Sequence, residues 1–471
     1  MDELNLHEDR YFDPNPSVRK TARTLYKSIR DRSLVCPHGH VPPTLLAENE
    51  AFPEPTSLLF TPDHYIFRML YSQGLQLEDL GIPTQDGTPV EDDPRTIWQT
   101  FAEHYYLFRG TPTRAWLDYE LYHVFGVRKR LSSATAMDIY DELQERLQEP
   151  AFRPRALFDQ FGIEVLTTTD GAADSLAHHR AIRNSDWNGT VVPCFRPDAT
   201  FKIAHPNWND EISRLADTAD TKIGSYNDFI QALEDRRQAF KALGATSTDH
   251  GVQHPYTERL SDGAAERLFQ RARTGNATEE DQSRFEAHML MEMARMSIDD
   301  GLVMQIHPGS YRNHNKALHD RFGPNVGADI PVHTEYTRNL KALLNAYGTA
   351  ADFTLVVFTL DESTYGRELA PLAGHYPALR IGPPWWFFDS IEGMRRYREQ
   401  VTETAGIYNT AGFNDDTRAF LSIPARHDLA RRMDANYVAR LVERHQLGMS
   451  EAHEVMDALT VGLVRDTYNF N

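Results

Sequence analysis

The sequence predicts an α/β fold, a distorted (β/α)8 TIM-type barrel with a mostly helical insertion after its first strand. Three observations carry this reading. Eight short, β-rich apolar runs each lead into polar, chemically capable residues. Helical patterns separate the runs, and strand–helix alternation with chemistry at the C-terminal strand ends marks such a barrel. The 471 residues also exceed the ~250 of a plain barrel, and the surplus lies mainly between the first run and the second.

Taken in order, the first run, 33–36, leads into Cys36-Pro37-His38-Gly39-His40. Histidines at i and i+2 of an extended segment point to one side, so both imidazoles can reach one ion, and a carboxylate from another strand would complete the site. The insertion follows at 43–161, with 97–108 and 136–147 as clear helical segments that can form a lid or one wall of the site. The second run, 163–166, precedes Thr167-Thr168-Thr169-Asp170. The third, 190–193, precedes Arg196-Pro197-Asp198, and the fourth, 245–247, precedes Asp249-His250. Between them, 227–243 places Phe229, Leu233, Phe240 and Leu243 at mostly helical intervals, and Gly244 ends the helix. A second helix, 281–296, carries Phe285, Met289, Met293 and Met296 and is followed by Gly301; its methionines read as core filler rather than a cofactor box. The fifth run, 302–306, precedes His307, the sixth, 353–358, precedes Thr359, and the seventh, 378–381, precedes Trp385-Trp386. The eighth, 407–413, precedes Asp416-Thr417-Arg418. The expected division is 1–42 for the N-terminal segment and first strand, 43–161 for the insertion, and 162–471 for the remaining barrel. No repeat, low-complexity tract or Gly/Ser linker separates these parts, which predicts one interlocked unit.

Composition narrows the function classes. A net charge of -19 argues against nucleic acid and anionic membranes as partners, because both are held by surplus Lys and Arg. A local cluster of Arg and His can still receive a small anion. The longest apolar stretches, such as 353–360, fall far short of the ~20 residues of a membrane span. The polar, acidic start lacks the layout of a signal peptide. Cys36 and Cys194 are the only cysteines, too few for a disulfide framework, so the expected compartment is a reducing cytoplasm. The surface of 97–108 is a candidate face for self-association into a homo-oligomer.

A histidine pair on the first strand, His307 on the fifth and Asp416 on the eighth resemble the amidohydrolase superfamily pattern. Further stretches narrow the resemblance: Asp63-His64-Tyr65 with Arg68, Thr168-Thr169-Asp170 with Asp174, Leu176 and His179, Phe195-Arg196-Pro197-Asp198, and Gln305-Ile306-His307 with Arg312-Asn313. Trp385-Trp386-Phe387 with Asp389, and Asp416-Thr417-Arg418 with Phe420-Leu421-Ser422 and Arg426-His427, complete the set. In this order, over nearly the whole chain, they resemble the uronate (glucuronate) isomerase family, a divergent branch of that superfamily.

The resemblance implies an aldose–ketose isomerase that interconverts D-glucuronate and D-fructuronate, and D-galacturonate and D-tagaturonate, through an enediolate. It implies one divalent ion, zinc, held by His38, His40 and Asp416 and ligating the sugar acid. Asp416 would share or accept a substrate proton, and Arg418 would stabilise developing negative charge, with an ion pair to Asp415 or Asp416 as its structural alternative. His64 and Tyr65 would contact substrate or transfer protons. Both, along with an alkoxide of the substrate, are candidates for lifting the C2 proton. Arg196 is a rigid anion contact or an ion-pair partner of Asp198; Arg312 is a further substrate contact. Trp385 and Trp386 would wall the cleft and exclude water. His307 is expected near the metal as a hydrogen-bonding substrate contact. Many family members have an aspartate where Cys36 stands, so Cys36 is expected to be a small buried residue rather than a ligand. The alternative activity is a mononuclear metal-dependent hydrolase on the same barrel; Asp249-His250 stands where a carboxylated lysine or bridging glutamate would support a binuclear hydrolytic centre.

Overall fold

The computed structural model describes residues 3–61 and 63–470. Nine strands occur in chain order: β1 (Leu34–Cys36), β2 (Ile163–Gly171), β3 (Thr190–Arg196), β4 (Ser247–Val252), β5 (Val303–Pro308), β6 (Ser310–Tyr311), β7 (Ile330–Pro331), β8 (Leu355–Val357) and β9 (Leu379–Ile381). Seven are parallel in the order β1-β2-β3-β4-β5-β8-β9, while β6 and β7 form a small antiparallel hairpin after β5. Sequential parallel pairing with helices in each crossover is the curled sheet of a distorted TIM barrel. The wall is uneven. β2 and β3 pair from Val165↔Thr190 to Gly171↔Arg196, whereas β3 and β4 share the single register pair Phe195↔Thr248.

The eighth run departs from expectation. Among the described residues, 407–413 forms no strand; it makes one parallel bridge, Ile381↔Thr410, to the β9 side. On the other side, His40 N donates to Thr417 O at 2.9 Å. Gly412 lies at φ 81° and, without a side chain, packs beside Val464, a backbone path unsuited to a continuous ladder. The fourth run also begins later than expected, so Asp249 and His250 lie inside β4 rather than after it.

Period-two alternation sorts the strand residues between the barrel interior and the outer helices. Val35, Val165, Val192, Val303 and Val356 form one apolar cluster with Val461, Val464 and Tyr468 from the C-terminal segment, which fills the barrel. A larger cluster joins outward-facing residues such as Phe195, Met304, Ile306 and Leu355 to the surrounding helices. The two anticipated helices run Tyr226–Ala242 and Glu279–Asp300; each starts with a capping box, at Ser225/Asp228 and Thr278/Asp281. Gly301 ends the second at φ 77°, the left-handed conformation glycine adopts without strain.

Among the described residues, seven α-helices lie between β1 and β2, five of which carry proline in the first turn: Pro43–Glu48, Pro55–Leu59, Pro94–His104, Pro112–Tyr119 and Pro154–Gln160. Proline suits that position because its missing N–H has no partner there in any case. Their apolar faces build a separate cluster around Trp98, Phe101, Phe108 and Leu143 that also takes in Phe420 and Leu421 beyond the eighth run. The insertion is thereby packed against the C-terminal end of the barrel.

Candidate functional site

Each step up the interior of β3, β4 and β5 is more polar than the last. Above the valines, Ser247 Oγ donates to Cys194 Sγ at 3.4 Å, and Gln305 Nε2 approaches the same sulfur at 3.8 Å. At the next level Arg196, Asp249 and His307 meet. Arg196 places Nε 2.7 Å from Asp198 Oδ2 and NH1 3.0 Å from Asp249 Oδ2. Asp249 Oδ1 lies 2.6 Å from His307 Nδ1. Burial would raise the Asp249 carboxyl, but Arg196, His307 and His38 hold it well below the usual carboxylate range. With Nδ1 held by the ionised Asp249, the second ring nitrogen of His307 is Nε2. That nitrogen is buried and has no hydrogen-bond partner among the described residues.

Beside it lie the first-strand histidines. The His38 ring stacks on His307 with centroids 4.7 Å apart. Asp416 Oδ1 is 3.5 Å from His38 Nε2 and 3.2 Å from His40 Nε2. Ligand atoms of His38, His307 and Asp416 all lie within 4.8 Å of one another. Burial drives His38 down to about 4. Asp416 is held below the usual carboxylate range: burial opposes this, but the facing His38 and His40 prevail. A neutral imidazole beside an ionised carboxylate is the protonation state that metal ligation requires. The donor set, with His38 Nε2 facing Asp416 and His307 Nε2 buried without a partner among the described residues, therefore fits a divalent ion. His307, expected near the metal and hydrogen-bonding, lies in this cluster with its Nδ1 on Asp249.

The insertion supplies the opposite wall. Asp63 caps the helix His64–Tyr71 by accepting from Tyr65 N at 2.8 Å, which sets His64 and Tyr65 on its first turn. Their rings stack at 4.8 Å, and His64 meets Trp386 edge-on at 5.8 Å. Burial, followed by the charges of Arg418, Arg68, Arg312 and Arg426, pushes His64 down to about 3, so its imidazole is neutral. Burial raises the Tyr65 phenol well above its usual value, with Asp389, Asp416 and Asp63 adding to it against Arg426.

The remaining expectations divide. Trp385 is buried edge-on against His307 at 4.8 Å, while Trp386, at φ 54°, lies beneath the Arg312 guanidinium at 5.0 Å. Arg312 is tied to Asp329 at 2.9 Å. Arg418 makes no ion pair among the described residues; its NH2 reaches Asn325 Oδ1 at 3.5 Å. Arg196, expected as an anion contact or as an ion-pair partner of Asp198, pairs with Asp198 and also with Asp249, which gives it first the task of holding these two carboxylates.

Sequence reasoning missed Asp249 as a site residue. Its signal was the i, i+2 pattern of Ser247, Asp249 and Gly251, which puts the carboxylate on the interior face of β4. It also missed Asp389 and Arg426, a buried ion pair whose guanidinium lies 3.6 Å over the Trp116 ring and whose Nε donates to Ser422 Oγ at 3.0 Å. Cys36 is buried with its sulfur 3.7 Å from His427 Nε2, on the outer side of the wall.

A family model described as glucuronate isomerase matches residues 14–466. A curated relative named uronate isomerase, from Mesorhizobium japonicum, is 54% identical over 98% of each chain. The crystal structure of glucuronate isomerase from Caulobacter crescentus is 50% identical, covers 100% of this chain and 98% of its own, and superposes with a TM-score of 0.98. At 24% identity, a uronate isomerase from Thermotoga maritima shares the fold alone, with a TM-score of 0.92 over 98% of this chain. None of these favours the hydrolase alternative. Because the match runs through the barrel, the insertion and the residues that converge between them, the chain belongs to the glucuronate isomerase family.

Proposed function

We propose that the protein interconverts D-glucuronate and D-fructuronate, and D-galacturonate and D-tagaturonate, through an enediolate. The observation that carries this reading is the convergence of His38, His40, His307 and Asp416 opposite His64 and Tyr65, in a chain of this family. Isomerisation needs a base to take the C2 proton while the carbonyl oxygen at C1 is protonated. The proton then returns at C1 as the C2 hydroxyl loses its own, so that the ketose has the same composition as the aldose.

His38, His40 and Asp416 would hold one divalent ion, zinc, with His307 beside it. When bound, that ion supplies a positive centre for the carboxylate and an adjacent hydroxyl of the sugar acid. Asp416, ionised in the fold, accepts or shares a hydroxyl proton. Arg418, which has no acidic ion-pair partner among the described residues, supports negative charge as it develops. A neutral His64 can accept a proton, and the Tyr65 phenol, kept protonated by burial, can donate one. These are opposite capacities on one helical turn, as a two-step proton transfer demands. Arg312 faces the cleft from the β5 loop as a substrate contact, and Arg196 orients Asp249. Trp385 and Trp386 close the site against water. Both thiols are free and buried, which suits a cytoplasmic location; no helix of the described residues is long and apolar enough to cross a membrane.

The test is incubation of the metal-loaded protein with D-glucuronate in deuterated water, followed by proton NMR. The expected result is loss of the C2 signal and appearance of the ketose. An unchanged uronate alongside hydrolysis of lactones or amides would reject the reading.

A further inference from the structure

The barrel lacks a ladder where the metal-ligand carboxylate sits. Segment 407–417 is held by one bridge to β9 and by the His40–Thr417 hydrogen bond, and no strand register fixes Asp416. Yet Asp416 adopts φ 34°, on the left-handed side that residues with a β-carbon rarely occupy. Such a conformation persists only where its surroundings over-determine it.

Those surroundings lie on the other face of the wall. Asp415 is 1% exposed, and its Oδ2 stands 3.0 Å from His427 Nε2. Cys36 Sγ lies 3.7 Å from the same nitrogen. His427 belongs to the long helix Ile423–Glu443, with the Phe413 ring edge-on at 5.0 Å. One imidazole thus touches the residue before Asp416 and the residue two before His38. Gly39, between the two ligand histidines, runs directly against this cluster: a β-carbon there would meet Asp415 Oδ1 at 3.5 Å, an ordinary packing contact.

We propose that Cys36, His427 and Asp415 form a clasp that replaces the missing β-ladder, holds Asp416 against His38 and His40, and thereby sets the affinity for the divalent ion. These are positioning residues. Their ligand atoms also lie within 4.8 Å of one another, but the 3.0 Å separation of imidazole nitrogen and carboxylate is that of a direct hydrogen bond. That contact uses Asp415 Oδ2, while Oδ1 is buried without a hydrogen-bond partner among the described residues.

The inference rests on Asp416, His38 and His40 as metal ligands, so the experiment separates the two. Zinc is titrated into chelator-treated protein in competition with a chromogenic chelator, and the melting temperature of the zinc-free protein is recorded alongside. Asp416→Asn tests the ligand assignment: wild-type affinity in that variant would sink the assignment and the clasp with it. With that assignment sound, His427→Phe is expected to weaken zinc binding by about 10–100-fold, the range for residues that orient ligands, and His427→Gln, which restores a donor, to recover part of the loss. Unchanged affinity in His427→Phe, even with a lowered zinc-free melting temperature, would leave the cluster merely structural and overturn the clasp. If His427→Phe does not fold, Cys36→Ala is read in the same way, with a weaker loss of affinity expected and unchanged affinity as the overturning result. A second equivalent of zinc in the wild type, lost in Cys36→Ala, would make the cluster a metal site of its own and overturn it equally.

Discussion

Asp249 meets the proposed site through His307 and Arg196 and orients both. By holding Nδ1, it fixes the ring that stacks on His38. An asparagine in its place keeps the shape and removes the charge that anchors both His307 and Arg196. Asp249→Asn is expected to lower kcat/KM by about 10–100-fold with little change in the circular dichroism spectrum; steady-state assays with D-glucuronate check the loss. His38, His40 and Asp416 were visible in the sequence because each stands at a strand end, whereas His64, Tyr65 and Arg418 drew their roles from the family resemblance. Asp249 was less visible because its importance comes from a cross-strand partner 58 residues away.

At the scale of elements, β4 and the insertion each hold a device that can be tested. A β-carbon on Gly251 would clash with the Arg196 guanidinium and stand 3.0 Å from Asp198 Oδ2. Two carboxylates pin that arginine, so it cannot swing aside without releasing one of them. Gly251→Ala is expected to cut kcat/KM by about 100-fold, the scale of an ångström misplacement near the chemistry, while the melting temperature falls only slightly.

In the insertion, Glu120 opens the π-turn Glu120–Val124 and lines a small cavity with Asp63, Trp116 and Arg426. Burial first, then Asp63, pushes its carboxyl up to about 8 against the pull of Arg426. A raised folded-state value stabilises fully below the unfolded value of about 4 and loses that contribution as pH rises through about 8. Glu120→Gln, neutral throughout, is therefore expected to melt higher than the wild type by a margin that opens above about pH 4 and stops growing beyond about 8. A constant margin across that range in thermal scans would contradict the assignment. Helix 97–108 was legible as a periodic pattern, although its last turn is a separate 3-10 segment, Tyr105–Phe108. The role of Glu120 was not, because an acidic residue in a helical pattern is ordinarily solvated.

Across the whole molecule, buried titratable groups act with opposite signs. His64, His179 and His250 are held neutral by burial, at about 3, 4 and 4. Their unfolded value is about 6.5, so unfolding takes up protons and stability falls as pH drops below that point. Asp170 and Glu120, at about 7 and 8, do the reverse, binding protons more tightly in the fold and offsetting the histidines down to about pH 4. Below about 4 those carboxyls are protonated in both states and the offset ends. His64 continues to oppose folding, and Asp249 loses the stabilisation of its ionised form as pH falls through its depressed folded-state value. The melting temperature of the metal-free protein is expected to change gently between about pH 6.5 and 4 and steeply below it; calorimetric scans across that range provide the check.

By itself the sequence determined the alternation of strands and helices and the order of the chemical residues along the chain, because periodicity and strand-end placement are local properties; its ordered motifs carried the resemblance to the family. Only the tertiary structure decided that the eighth run forms no ladder, that Arg196 is bound by two carboxylates, that His307 joins the His38–Asp416 cluster, and that Cys36 faces His427 behind the wall. Each of these depends on which residues, distant in sequence, arrive at the same level of the barrel. That is set by strand register and by helix packing, and neither can be read from one segment alone.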